Sequence, residues 1–293
     1  MKVRSKILSY INLTKPEIML LILVTGATSL VIEGAAISRP LASLMILMGL
    51  ALTGGSANAF NMYFEREIDA QMARTRKRRP LPLGLIKPGN ALGFAIGIGA
   101  LGIALFGLLF NLISAVLALA TIIYYAFFYT LVLKPNTVHN IVIGGAAGAM
   151  GPVIAWVAVT GTLNLAPILL FLIIFLWSPP HFFALALCLK RDYEQVKFPM
   201  LPIVKGEKAT LNQILIYSIL IIISSLFLIM VGAGILYLIA AMAFGAILLL
   251  KTIRLRANLS NSLARSYFGY SIVYLFGIFI GLIVDEFLKL PIK

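Results

Sequence analysis

The sequence predicts an all-α protein that crosses a membrane nine times, and three observations carry that prediction. Its 293 residues are 61% hydrophobic and only 12% charged, with a mean hydropathy of +1.03, a balance outside that of soluble domains. The apolar residues fall into nine stretches of about 20, the length a helix needs to cross roughly 30 Å of hydrocarbon. The Lys and Arg residues gather between alternate stretches, as the positive-inside rule expects of a membrane protein.

The nine spans are expected at residues 16–37, 41–64, 90–110, 112–133, 140–161, 166–189, 211–231, 234–251 and 267–287. Their softest boundaries are at Asn111 and at Gly232 to Gly234, where a break of hairpin size separates two apolar runs. A polar, basic start leads directly into a full-length first span with no small-residue cleavage site, so that span is expected to stay in the protein. The whole of 1–293 is read as one transmembrane domain. Cys188 is the one cysteine, which rules out an internal disulfide and offers no zinc spacing.

Orientation follows from counting cations by side. One side receives Lys2, Arg4, Lys6 and Lys15; Arg66, Arg74, Arg76, Lys77, Arg78, Arg79 and Lys87; Lys134; Lys190, Arg191, Lys197, Lys205 and Lys208; and Lys251, Arg254, Arg256 and Arg265. That is 21 of 24, against Arg39, Lys289 and Lys293 on the other side. The N-terminus is therefore expected in the cytoplasm and the C-terminus outside, with the long second and sixth connections on the cytoplasmic face. The net charge of +14 is thus distributed by topology. With no DNA- or RNA-binding motif to accompany it, a nucleic-acid partner is not expected.

Chemistry should lie where ionisable groups meet the membrane boundary. Asn61, Glu65 and Asp69 stand four residues apart, each turned only about 40° from the last on a helix of 3.6 residues per turn. This oxygen-rich stripe suits Mg²⁺, which takes hard oxygen ligands and keeps waters or phosphate oxygens in its shell. The cations that follow, Arg74 to Arg79, would neutralise a polyanion, Arg offering a planar fork for phosphate. The bland reading is an interfacial salt-bridge cluster with Arg66, Arg74 or neighbouring cations, Arg76 to Arg79 only enforcing topology. A second group of acids among cations, Asp192 and Glu194 beside Lys190, Arg191, Lys197 and Lys205, falls on the same side. The two connections also look like a loose internal repeat, each running from acids into a basic, proline-bearing loop.

The pattern Asn61-x-x-x-Glu65-x-x-x-Asp69, followed by Arg74-Thr75 and by residues 79–82, resembles the first acidic motif of the UbiA superfamily of intramembrane prenyltransferases. Residues 129–134, 140–149, 151–156, 178–184, 192–193 and 199–206 resemble, more narrowly, the branch that farnesylates haem. Glu65 stands where many members carry Asp. The second motif is thinned, because Cys188 and Val196 flank Asp192 where paired acids are usual.

The resemblance implies transfer of a farnesyl group from farnesyl diphosphate to a vinyl carbon of haem b, with Mg²⁺ as cofactor and the lipid bilayer as surroundings. It also implies a place beside haem A synthase or a terminal-oxidase assembly pathway. Asn61, Glu65, Asp69 and Asp192 would then serve the metal and diphosphate, and Arg74, Lys77, Arg78, Arg79 and Lys134 the diphosphate oxygens. His181 is read two ways, as a haem contact with Trp156, Phe182 and Phe183 nearby, or as an imidazole bonded to a neighbouring helix. The rival within the superfamily is an aromatic, quinone-precursor or glycerol-phosphate acceptor. From a different class comes a secondary transporter with a basic vestibule, which would need no carboxylate stripe.

Overall fold

A computed structural model describes residues 3–196 and 198–288. Lys2, Lys197, Lys289 and Lys293 of the cation count lie outside the described residues. Among the described residues there is no strand, and nine helices are long and apolar enough to cross a membrane: Pro16–Glu33, Pro40–Phe64, Pro88–Leu109, Leu112–Asn136, Asn140–Thr160, Leu165–Cys188, Gly206–Val231, Ile235–Ala257 and Asn261–Leu288. They are called the first to ninth spans below.

The observed spans agree with the apolar runs but extend past them at one end of the bundle. The seventh span begins at Gly206, five residues before the apolar run, and the eighth continues to Ala257 through Lys251, Arg254 and Arg256. Long cationic side chains can keep helical backbone while reaching the interface, so charge marks the membrane boundary there and not the helix end. At the first span the opposite happens: Gly34 at φ 88° ends the helix, and a short helix, Ala35–Ser38, makes the rest of the predicted stretch.

Consecutive spans pack against one another around a ring, and the first meets the ninth to close it. The fifth also packs across the ring on the first, and the sixth on the ninth. Of all nine, the fifth and sixth are the most buried within the protein. Packing between helices in lipid relies on small residues that let backbones approach. The second and third spans meet this way, with Ser56 donating to the Ala95 carbonyl at 2.8 Å and Gly102 lying against Thr53.

Two features bend this frame where the site forms. Residues Tyr124–Leu133 of the fourth span are wound as a π-helix, a widened coil that is rare and concentrates at functional sites. The second and sixth spans each run into a pair of short helices, Arg66–Gln71 with Ala73–Arg76, and Lys190–Gln195 with Leu201–Val204. The loose repeat seen in the sequence thus has a structural counterpart in these two connections.

Candidate active site

The second span ends at Phe64, and Glu65 is the joint between it and the short helix that carries Asp69. The stripe survives the joint because the backbone ladder does: Glu65 N–H donates to the Asn61 carbonyl at 3.0 Å, and Asp69 N–H to that of Glu65 at 2.8 Å. Asn61, Glu65 and Asp69 are all nearly inaccessible, at 2–3% exposure. Charged groups so placed must find partners.

Their partners are three cations from three elements. Arg79 Nη1 contacts Asp69 Oδ2 and lies 3.3 Å from Glu65 Oε2. Lys134, one residue beyond the π-helix, pairs with Glu65 Oε1. Lys15, immediately before the first span, donates from Nζ to Asn61 Oδ1 at 2.6 Å. Asn61 in turn donates from Nδ2 to the Thr130 hydroxyl at 3.0 Å, and Thr130 donates to the Tyr125 carbonyl five residues earlier in the π-helix. The wide coil therefore sets the height of Thr130 against Asn61.

Two carboxylates face three basic side chains, so the cluster carries a surplus positive charge whenever Lys15 is protonated. Burial pushes the Glu65 carboxyl up, but Lys134, Lys15 and Arg79 outweigh it and hold it at about 2. Lys15 is driven down to about 7, first by burial and then by Arg79, against the opposing pull of Glu65. Such an arrangement favours an anion.

The bland salt-bridge reading is corrected in its partners. Arg66 turns away to Glu67 at 3.0 Å, and Arg74, Lys77 and Arg78 are exposed, with no side-chain bond or ion pair among the described residues. Of the five cations expected around diphosphate, only Arg79 and Lys134 stand within the buried cluster.

A family model, the UbiA prenyltransferase family, matches residues 20–280. The chain belongs to the UbiA prenyltransferase family. It is 46% identical over 280 residues to a Symbiobacterium thermophilum protein named protoheme IX farnesyltransferase, covering 94% of this chain and 93% of that one. The fold is similar to a digeranylgeranylglyceryl phosphate synthase structure, with a TM-score of 0.79 at 21% identity over 96% of this chain and 98% of that one. It is also similar to a UbiA homologue of Archaeoglobus fulgidus bound to geranyl diphosphate and Mg²⁺, with a TM-score of 0.63 at 15% identity over 94% of this chain and 99% of that one.

In this UbiA-family chain the donors fit a hard cation. Oxygens of Glu65 and Asp69 converge on one cationic nitrogen, and the Asn61 amide oxygen already takes an ammonium. Asp192 is not part of such a cluster: among the described residues no three His, Cys, Asp or Glu side chains are grouped to hold a metal. It is half-buried on the short helix Lys190–Gln195. That connection does reach the site through Phe198, whose ring lies 5.1 Å from Lys134 Nζ.

His181 sits between the sixth and ninth spans. Its ring stacks on Trp177 at 4.3 Å and on Phe268 at 4.4 Å, and Nδ1 lies 2.7 Å from the Ser271 hydroxyl. The Ser271 hydroxyl can also donate to the Phe268 carbonyl at 2.7 Å, so Nδ1 is the ring nitrogen engaged by the ninth span and Nε2 is the other. The expectation of an imidazole bonded to a neighbouring helix matches this geometry, since Ser271 belongs to the ninth span. Of the aromatic residues named with it, Phe183 and Trp156 are buried and Phe182 is exposed.

The sequence reading missed Lys15 and Thr130 as site residues. Lys15 was visible only as one charge in the topology count, although its place directly before Pro16 at the head of a span was a usable signal. Thr130 gave none, because an ordinary α-helix would rotate it to a different face.

Proposed function

We propose that this chain transfers the farnesyl group of farnesyl diphosphate to a vinyl carbon of haem b, giving haem O. The observation that carries the donor half is the buried cluster in which Lys15, Arg79 and Lys134 outnumber Glu65 and Asp69. The acceptor half rests on the curated relatives, named protoheme IX farnesyltransferase at 42–46% identity.

Glu65 and Asp69, with Asn61, would hold Mg²⁺, and Asp192 would approach from the sixth connection. The metal would supply Lewis-acid stabilisation of the leaving diphosphate. Arg79, Lys134 and Lys15 bind the same oxygens, and their preset positive charge lowers the cost of the negative charge that develops as the allylic carbon–oxygen bond breaks. Arg74, Lys77 and Arg78, exposed on the same connection, would attract the diphosphate from solution. The haem vinyl group would attack the allylic carbon as its bond to diphosphate breaks, and water would add to the resulting carbocation and lose a proton to the released diphosphate or to solvent, leaving a hydroxyl. His181 would contact the haem through Nε2, the ring nitrogen not engaged by Ser271.

The distribution of 21 of 24 cations on one side supports an active site on the cytoplasmic face, in what would be the plasma membrane. Its product would enter the route served by haem A synthase and a terminal oxidase. Membranes containing the protein, supplied with haem b, farnesyl diphosphate and Mg²⁺, are expected to yield haem O on pigment extraction. Folded protein that releases no diphosphate overturns the reading, and release with a glycerol-phosphate or aromatic acceptor but never with haem moves the chain to another branch.

A further inference from the structure

A cavity of about 620 Å³ lies away from the acidic stripe, between the start of the seventh span and the end of the eighth. It shares no lining residue with the cluster around Glu65. Its walls change character with depth. At the helix ends stand Lys208 and Arg256, and one to two turns inward stand Leu215 and Ile253. Lys208, Asn212 and Leu215 succeed one another at helical spacing on one wall, as Arg256 and Ile253 do on the other, so each wall descends from polar to apolar along one face.

The charges at the mouth are not cancelled. Arg256 uses Nε to reach Asn212 Oδ1 at 3.3 Å, which leaves the outer nitrogens of its fork without a partner among the described residues. Lys208 is exposed and has no ion pair there. The one acid of the lining, Glu207, is taken by Lys190 at 3.1 Å. Ile253 is 52% exposed, so the apolar part opens sideways to the hydrocarbon of the bilayer.

We propose that this groove binds an anionic phospholipid of the adjoining leaflet, its phosphodiester between Lys208 and Arg256 and an acyl chain along Leu215 and Ile253. Two unpaired cations above an apolar slot match the two parts of such a lipid, and basic pockets between spans are recurrent sites for anionic head groups. A metal-bridged diphosphate does not suit the groove, because it offers no free carboxylate to the metal. The Lys190–Glu207 bridge joins this groove to the sixth connection, so an occupied groove steadies the segment that carries Asp192.

The test uses the full-length protein purified in detergent, with phosphatidylglycerol or phosphatidylcholine added in turn and retained lipid read by native mass spectrometry. Wild-type protein is expected to retain phosphatidylglycerol in preference. The double variant Lys208→Ala/Arg256→Ala should bind it about 30-fold more weakly, the effect expected of two interfacial cations. Glycerol phosphate, which has the charge but no acyl chain, should not compete. Ile253→Trp keeps both cations and fills the slot, and it should lose the lipid as well, which keeps the proposal open to test where the double variant does not fold. Equal retention of phosphatidylcholine, or unchanged retention of phosphatidylglycerol in either variant, overturns the proposal.

Discussion

Lys15 reaches across from the head of the first span and donates its ammonium to the side-chain oxygen of Asn61 at 2.6 Å. It does so from a left-handed backbone, φ 54° and ψ 72°, a conformation a lysine rarely adopts. The contact joins two residues 46 positions apart in the chain and aims a third cation at the acidic stripe.

Replacing Lys15 by Met should therefore weaken donor binding and leave the fold intact. Loss of one charge-assisted contact is worth about 1.5–3 kcal/mol, which predicts a KM for farnesyl diphosphate raised roughly 10- to 140-fold. Steady-state kinetics at saturating haem b check this. An unchanged KM would show that Lys15 only braces Asn61.

Arg79 supplies a prediction that needs no turnover. Its guanidinium is the shared partner of Glu65 and Asp69, so Arg79→Ala leaves Asp69 as a buried carboxylate without its counter-ion. Breaking such a pair costs about 3–5 kcal/mol. Thermal unfolding of the variant should begin at lower temperature than wild type. Added Mg²⁺ should restore part of the loss, because a divalent cation can take the place of the guanidinium between the two acids. A variant as stable as wild type, or one indifferent to Mg²⁺, would argue against convergence of the carboxylates on a cation.

These residues mark how much of the site is legible in the sequence. Glu65, Asp69 and Arg79 were legible because a four-residue spacing and a run of cations survive any detail of the helix. The spans were legible because hydropathy is a property of composition, and the errors at Gly206 and Ala257 arise where composition and backbone part company. Thr130 was not legible, since it depends on ten residues wound as a π-helix in a run whose apolar pattern suits an ordinary helix equally well. Nor was the separation of Asp192 from a three-acid cluster, which depends on how two connections fold back toward each other.

Packing of the second span on the third makes a further prediction. A Cβ at Gly102 would stand 2.7 Å from Thr53 Cγ2 and 3.2 Å from the Thr53 backbone nitrogen, which cannot move without its helix. Gly102→Ala should therefore cost about 1–3 kcal/mol by overpacking. Gly97, on the same span, has no neighbouring atom within 4 Å, and Gly97→Ala should be neutral or stabilise the helix by about 0.5–1 kcal/mol. Denaturation midpoints of the two variants, measured in one detergent, should move apart.

The last prediction concerns the end of the bundle away from the acidic stripe. Asp285 of the ninth span is 3% exposed, and its carboxylate accepts from the backbone N–H groups of Gly234 at 2.6 Å and of Tyr237 at 3.0 Å. Gly234 is the cap of the eighth span, so a neighbouring helix supplies the acceptor that a Ser or Asp at the cap would ordinarily provide. Asp285→Ala strands two buried donors and should cost about 1–3 kcal/mol for each. Asp285→Asn retains one acceptor oxygen and should fall between. Because the stripe lies at the opposite ends of these spans, the KM for farnesyl diphosphate should stay at its wild-type value in both variants at temperatures where they remain folded. Unfolding measurements paired with kinetics separate the two effects, and a raised KM in stable Asp285→Asn protein would show that this cap is coupled to the active site.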